Sequence, residues 1–326
     1  MALLMVSGLT KSENGEHKIN DISFKLEKFQ KIAITGETGS GKTTLLKLIA
    51  GLIQPDRGEI LLEGKKVQGP LEKLLPGHPQ IAYLSQHFEL RNNYRVEDEL
   101  ECSNLMEIHE AETLYSICRI QHLLKRKTNE LSGGERQRIV LAKLLTTSPS
   151  LLLLDEPFSN LDILHKRIIK SVINDISAKL KITVLLVSHD ASDILSWADS
   201  LLVIKEGQII QEGNPEQVYR SPVNEYAAGL LGEYNLLFIQ ESGIFSSIPG
   251  IKAGKMAFIR PEYFLIVEPG SSPICGMVKN IQFRGHYYLL SVSIDDLIIQ
   301  LITVNNKYKI GDILSLSVSP DDIWYF

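Results

Sequence analysis

Cysteine is scarce in this chain, and neither sign of charge dominates it. The three cysteines, Cys102, Cys118 and Cys275, lie too far apart for a metal-ligand spacing, which excludes a zinc-finger or disulfide framework. Scattered reduced thiols packed in a cytosolic protein are the expectation. The net charge of −5 supplies no basic field, so no nucleic-acid partner is expected. No window reaches the roughly 18 to 20 apolar residues of a membrane span, so any span must come from another chain. The opening "MALLMVSGLT" has a short apolar run with no Lys or Arg before it, and reads as a first β-strand rather than a leader. Internal repeats and low-complexity tracts are absent too. What remains is ordinary globular composition, 44% hydrophobic and 22% charged, in 326 residues. That length suits one large domain with a small one, or two medium ones.

Short apolar runs without alternation stand at Lys31–Thr35, Ile81–Ser85, Leu151–Leu154 and Ile182–Ser188. Such runs suit parallel strands covered on both faces. Between Gln86 and Leu131 the strand signal fades and helical spacing takes over, predicting a helical subdomain inserted into an α/β core. The last ninety or so residues alternate with period two. Tyr288, Leu290, Val292 and Ile294 alternate with Leu289, Ser291, Ser293 and Asp295, which predicts antiparallel strands with one wet face. A small β-barrel or sandwich follows from that pattern, with a boundary near Gly232.

Chemistry enters at "KIAITGETGSGKTTLLKLIAG". A GxxxxGKT pattern, Gly36 to Thr43, falls between a strand and an apolar helix. Glycines let backbone N–H groups surround phosphate oxygens, and the helix start adds positive charge. Lys42 then reaches the outer phosphates and Thr43 suits Mg²⁺. The apolar strand "LLLL" ends in Asp155 and Glu156, where α/β proteins place ligands. Asp155 suits a metal contact and Glu156 the polarisation of a water for in-line attack. Gln86 and His189 end two further buried runs, so the same edge gains two neutral hydrogen-bonding groups. A second glycine turn, "ELSGGERQR" (Glu130–Arg138), also opens a helix.

Taken in order, "GETGSGKTT", "YLSQ", "LSGGERQR", "LLLLDEPFSNLD" and "LLVSHD" resemble the ATP-binding subunits of ABC transporters, over roughly residues 1–232. The resemblance implies an α/β P-loop NTPase core with a helical subdomain at about 88–145. Gly36, Glu37, Thr38, Gly39, Ser40, Gly41, Lys42, Thr43 and Thr44 would cradle the phosphates of ATP. Thr43, Gln86 and Asp155 would serve Mg²⁺, and Gln86 would also couple the site to a membrane partner. Ser132, Gly133 and Gly134 would contact the γ-phosphate held by a second copy of the chain. Glu156 would be the catalytic carboxylate, His189 the switch histidine, and Asp162 a link between two sites across the dimer.

The tail, residues 233–326, resembles the OB-fold-like TOBE domain that ends the ATPases of certain importers. "GEYNLL", "IRPE", "FLIVEPG" and "KIGDILSLSVSPDDIWYF" carry that likeness. It implies uptake of a small solute or ion of the polyamine, sulfate, molybdate, ferric iron or sugar class. The partners implied are transmembrane permease subunits and, through the complex, a periplasmic or surface substrate-binding protein. The place implied is the cytoplasmic face of the plasma membrane. A soluble ABC ATPase whose β-domain senses a small anion or binds a regulatory protein is the alternative. Two positions depart from the family's pattern. Glu13 stands where an aromatic residue usually stacks on adenine, a contact worth about 1–3 kcal/mol per base in nucleic-acid systems. His17 is the nearest substitute, and weaker base discrimination is expected. Glu135 stands where glutamine is frequent, and acids are favourable at a helix start.

Overall fold

The computed structural model describes residues 2–86, 89–159, 161–239, 245, 252 and 254–326. Asn160, inside the quoted "SNLD", lies outside them. The chain divides into two compact units, Met1–Pro215 and Glu216–Phe326.

The first unit begins with β1 (Ala2–Glu13), β2 (Glu16–Glu27), β3 (Lys31–Thr35) and α1 (Lys42–Ile49). Next come β4 (Arg57–Leu62), β5 (Lys65–Lys66), β6 (Ile81–Leu84), α2 (Val96–Glu101), α3 (Ile108–Ile117) and α4 (Gly133–Leu145). It ends with β7 (Leu151–Asp155), α5 (Ile163–Leu180), β8 (Thr183–Val187), α6 (Ala191–Ile194), β9 (Ser200–Lys205) and β10 (Gln208–Gly213).

A six-stranded sheet runs in the order β10-β9-β3-β8-β7-β6. Only β10 is antiparallel to its neighbour; β9, β3, β8, β7 and β6 pair in parallel. Every residue of β7 and β8 is buried, which is why these strands read as unbroken apolar runs. The four apolar runs picked out in the sequence thus become the parallel strands β3, β6, β7 and β8.

A second sheet, β2-β1-β4-β5, is antiparallel. In β2, Ile22, Phe24 and Leu26 are buried while Asp21, Ser23, Lys25 and Glu27 are exposed, so only one face meets the core. Leu45, Leu46, Leu48 and Ile49 of α1 join a buried cluster with Leu4, Ile22 and Leu26 of this sheet and Ile32, Leu153 and Val187 of the other. The helix that starts at the phosphate loop is therefore fixed between two sheets. The expected helical stretch is present as α2 and α3, two 3₁₀ turns and α4. The fully buried Glu99 of α2 binds Arg91 Nε at 2.7 Å and Lys143 Nζ of α4 at 2.5 Å, joining two of its helices.

The second unit holds α7 (Pro215–Arg220), whose first residue belongs to the first unit, α8 (Glu225–Leu231), β11 (Asn235–Phe238), β12 (Met256–Ile259), β13 (Leu265–Val267) and β14 (Ile274–Phe283). It closes with β15 (Tyr288–Ile294), β16 (Leu297–Thr303), β17 (Ile313–Ser317) and β18 (Trp324–Tyr325). The strands form an antiparallel sheet in the order β13-β17-β14-β15-β16 and a smaller one, β11-β12-β18. Val292 and Ile294 are buried between half-buried Ser291 and Ser293, as the alternation predicts, but Leu289, expected on the wet face, is buried as well and Tyr288 only half so. Asp295, at φ 50°, turns the chain between β15 and β16.

The division at Pro215 lies ahead of the boundary expected near Gly232. Besides the bonds from the Tyr219 hydroxyl to Glu262 at 2.6 Å and from Trp324 Nε1 to the Pro222 carbonyl at 2.9 Å, a main contributor is Arg260, which no short-range pattern reveals. Its guanidinium is fully buried and donates to the carbonyls of Tyr219, Gly232 and Glu233 at 3.0–3.4 Å. It also stacks on the rings of Tyr219 and Phe258, 4.0 and 4.8 Å from their centroids. Residues 216–232 are thereby bound to the β-structure.

Candidate active site

Because β3, β8, β7 and β6 are parallel neighbours, the loops that follow them open on one edge of the sheet. That edge carries Gly36–Thr44 after β3, His189 after β8, Asp155 and Glu156 at the end of β7, and Gln86 after β6. Four separate stretches of sequence converge there for a topological reason.

The phosphate loop is shaped by backbone. Gly41 has φ 102°, and a Cβ built on it would lie 2.3 Å from the Lys18 carbonyl, so only glycine fits. Glu37, Thr38 and Gly39 are exposed, and Ser40 and Lys42 are buried. As the N-cap of α1, Gly41 offers no side chain to the helix start, and the first turn holds no acid. Its N–H groups and positive end are left for an anion. Lys42 Nζ meanwhile donates to the carbonyls of Gly36 at 2.8 Å and Glu37 at 2.7 Å. Burial lowers the pKa of this ammonium, with the charges of Glu156, Asp155 and Glu37 opposing.

Thr43 Oγ1 donates to Asp155 Oδ1 at 3.1 Å, and the Tyr83 hydroxyl donates to Oδ2 at 2.9 Å. Burial pushes the Asp155 carboxyl above the usual range, while the Tyr83 and Thr43 bonds pull against it. Tyr83 had no role in the sequence reading. Its only signal was an aromatic ring in the otherwise aliphatic "IAYLS".

Glu156 has φ 49°, a left-handed conformation that a non-glycine residue adopts at a cost. Its Oε2 accepts from Ser159 Oγ at 2.7 Å and lies 3.0 Å from His189 Nδ1. Burial would raise this carboxyl, but Ser159, His189 and the charge of Lys42 outweigh it and hold the pKa below the ordinary range. The His189 loop is anchored from behind. Lys166 of α5 binds Asp190 at 2.6 Å and Asp193 at 2.7 Å, and Lys170 binds Asp193 at 2.7 Å. Burial works against Asp190, yet the bonds from Lys166 and Ser192 bring it down to about 2.

Ser132, Gly133 and Gly134 stand apart from this group: no hydrogen bond among the described residues joins them to the phosphate loop. Ser132 caps α4, its Oγ accepting from Glu135 N at 3.3 Å, while Glu135 Oε2 accepts from Ser132 N at 2.8 Å. Glu135 Oε1 also pairs with Arg126 at 3.2 Å. Around the expected base position, Glu13 faces Glu16 across the β1–β2 hairpin, and His17 Nδ1 is 2.9 Å from Ser12 Oγ. Gln86 is exposed at the end of its strand.

A strand, a glycine loop, a buried lysine at a bare helix start and two carboxylates ending a parallel strand of the same sheet edge define a P-loop nucleoside-triphosphate hydrolase. Residues 19–159 match the family described as ABC transporter. The chain is similar to the Fe(3+) ions import ATP-binding protein of Pectobacterium atrosepticum, at 32% identity over 97% of this chain and 98% of that protein. It is also similar to the spermidine/putrescine import ATP-binding protein of Clostridium acetobutylicum, 29% identical over 98% and 95%. Among solved structures, cbiO1 of Clostridium perfringens, part of the ABC transporter complex cbiONQ, superposes with a TM-score of 0.59. That likeness covers 67% of this chain and 90% of the other at 25% identity. The chain belongs to the ABC transporter family, as an ATP-binding and ATP-hydrolysing subunit. Among its described residues no helix is long and apolar enough to cross a membrane.

Proposed function

We propose that this chain powers an importer by closing, with a second copy, on two molecules of ATP. The observation that carries the reading is the tip of a glycine turn, Gly133, that no described residue of its own chain covers. A Cβ added at Gly133 would meet no atom within 4 Å, and Ser132 and Gly133 are both exposed. The P-loop edge already holds a lysine, a metal-type carboxylate and a base, so the missing half is supplied by Ser132–Gly134 of the other copy. A C₂ pair uses each half twice.

Within each site, Lys42 exchanges its bonds to the Gly36 and Glu37 carbonyls for phosphate oxygens. Thr43 Oγ1, on an exposed residue, and Asp155 Oδ1, on a buried one, are adjacent oxygens of the kind that Mg²⁺ prefers. Bound there with the phosphates, the ion would neutralise their charge, and Gln86 is the candidate third contact. Glu156, kept as a carboxylate, orients the attacking water and accepts its proton. His189 fixes Glu156 through Nδ1 and leaves Nε2 for the γ-phosphate. Asp162 connects the site to its twin.

The relatives import ferric iron and polyamines, which supports uptake of a small ion or solute through permease subunits fed by a substrate-binding protein. The β-rich second unit is assigned to the TOBE type, and the subunit to the cytoplasmic side of the membrane. Glu156→Gln tests the centre of this reading. ATP binding should persist, turnover should fall about a thousandfold, and a nucleotide-bound dimer should accumulate. Hydrolysis at the normal rate would overturn the assignment.

A further inference from the structure

The first turn of α5 touches the second glycine turn from within the same chain. Asp162 caps this helix: its Oδ1 accepts the His165 N–H at 2.9 Å, and its Oδ2 lies 2.7 Å from His165 Nδ1. The imidazole held in this way lies directly over Gly134. A Cβ built on Gly134 would come within 2.5 Å of His165 Cδ2 and 3.1 Å of Cγ. One ring therefore spans the gap between the turn that follows the catalytic carboxylate and the turn that opens α4.

A second strut lies nearby. Gln137 of α4 is fully buried, and its Nε2 donates to the Pro157 carbonyl at 2.6 Å, next to Glu156. The start of α4 is thus held at two points, by Gln137 on the Glu156–Pro157 turn and by His165 on Asp162. Ser132 and Gly133 project beyond both points.

We propose that His165 is a positioning residue: tethered to Asp162 and packed on Gly134, it holds the Ser132–Gly134 turn in register with Asp162, so that both meet the partner copy as one surface. The inference rests on the ATP-sandwich reading above. The chemistry asks for a flat group that can lie on a glycine and a nitrogen that can bond a carboxylate, and imidazole combines them. Without the ring a void opens over Gly134 and the turn loses its fixed height. Displacements of that kind are costly wherever bound geometry must be met closely.

The full-length chain carrying Glu156→Gln is the background for the test, with ATP and Mg²⁺ and with sedimentation reporting the dimer. Three further variants are added in turn: His165→Ala, His165→Asn, which keeps a donor for Asp162, and His165→Phe, which keeps the ring. Binding of a fluorescent ATP analogue to the dilute monomer should stay within about twofold in all three, since the bonds and contact described for His165 go to Asp162 and Gly134 and not to the phosphate loop. The ATP-driven dimer should weaken about tenfold in the alanine and asparagine variants, the size of a lost interface anchor, and recover in part with phenylalanine. Unchanged dimerisation in His165→Ala would overturn the proposal, as would a parallel loss of monomer ATP binding, which would mark a folding defect. A Glu156→Gln chain with His165 intact that forms no ATP-dependent dimer would overturn the sandwich itself and this coupling with it.

Discussion

Two helices of this protein begin at glycine turns, and their first turns differ position by position. At α1 the N-cap is Gly41, the first residue is Lys42 and the third is Thr44; at α4 the corresponding residues are Ser132, Gly133 and Glu135. The first start has no cap and no acid, so its donors and dipole remain free for phosphate. The second caps itself, and Glu135 carries a negative charge at the place where Thr44 is neutral. Both turns approach a nucleotide under the proposed function, but only α1 is built to bind one alone. Under that proposal the difference separates a site that holds ATP from a surface that recognises ATP already held.

The comparison can be broken most severely at Lys42. Lys42→Ala should reduce ATP affinity about a hundredfold, because a charged donor to the phosphates is lost from a buried position; equilibrium binding by the monomer measures it. Gly133→Asp should leave that monomer affinity intact and reduce hydrolysis about a hundredfold by putting charge and bulk on the recognising surface. Gly133 is the cleaner choice over Gly134, where any side chain would also strike His165. A smaller effect tests the third positions directly. Thr44→Glu should weaken ATP binding severalfold, while Glu135→Gln should tighten the ATP-driven dimer by a similar factor, each of roughly the size expected for one charge at a helix start.

The smallest effect concerns pH. Burial raises the Glu135 carboxyl, but its bonds to Ser132 and the charges of Arg126 and Arg138 prevail, so its folded pKa lies below the ordinary 4.5. Its contribution to stability is therefore complete above that value and disappears as pH falls through the folded pKa. The difference in thermal midpoint between the wild-type chain and Glu135→Gln should be steady near neutrality and shrink on acidification below about pH 4.5. A difference that grows in acid would contradict the capping role.

Much of the site was legible because its chemistry is local. Gly36–Thr44 announces itself within nine residues, and Asp155, Glu156, Gln86 and His189 each end an apolar run whose parallel pairing gathers them on one edge. Glu135 was readable only as an acid suited to a helix start; its reciprocal bonds with Ser132 and its pairing with Arg126 appear only in three dimensions. Tyr83, His165 and Gln137 escaped the sequence because each acts on a residue tens of positions away, with no periodicity to betray it. The four-stranded antiparallel sheet was missed beyond its first strand. In β1, bulges at several positions shift the register and blur the alternation that marks such strands. The division between units falls ahead of the expected boundary for a similar reason, since the Arg260 guanidinium, Glu262 and Trp324 bind residues 216–232 from far along the chain.

That guanidinium limits how the chain can be dissected. A fragment cut to begin at Glu233 would keep Arg260 but lose Tyr219 and Gly232, and with them two of its three carbonyl acceptors and one of its two stacking rings. A cation whose pKa is already lowered by burial would then lack the neighbours that make burial tolerable. Such a fragment should aggregate or stay loose whatever its β-strands prefer. One that begins at Glu216 retains every partner of Arg260, and is the form in which the second unit can be assayed alone for a ligand.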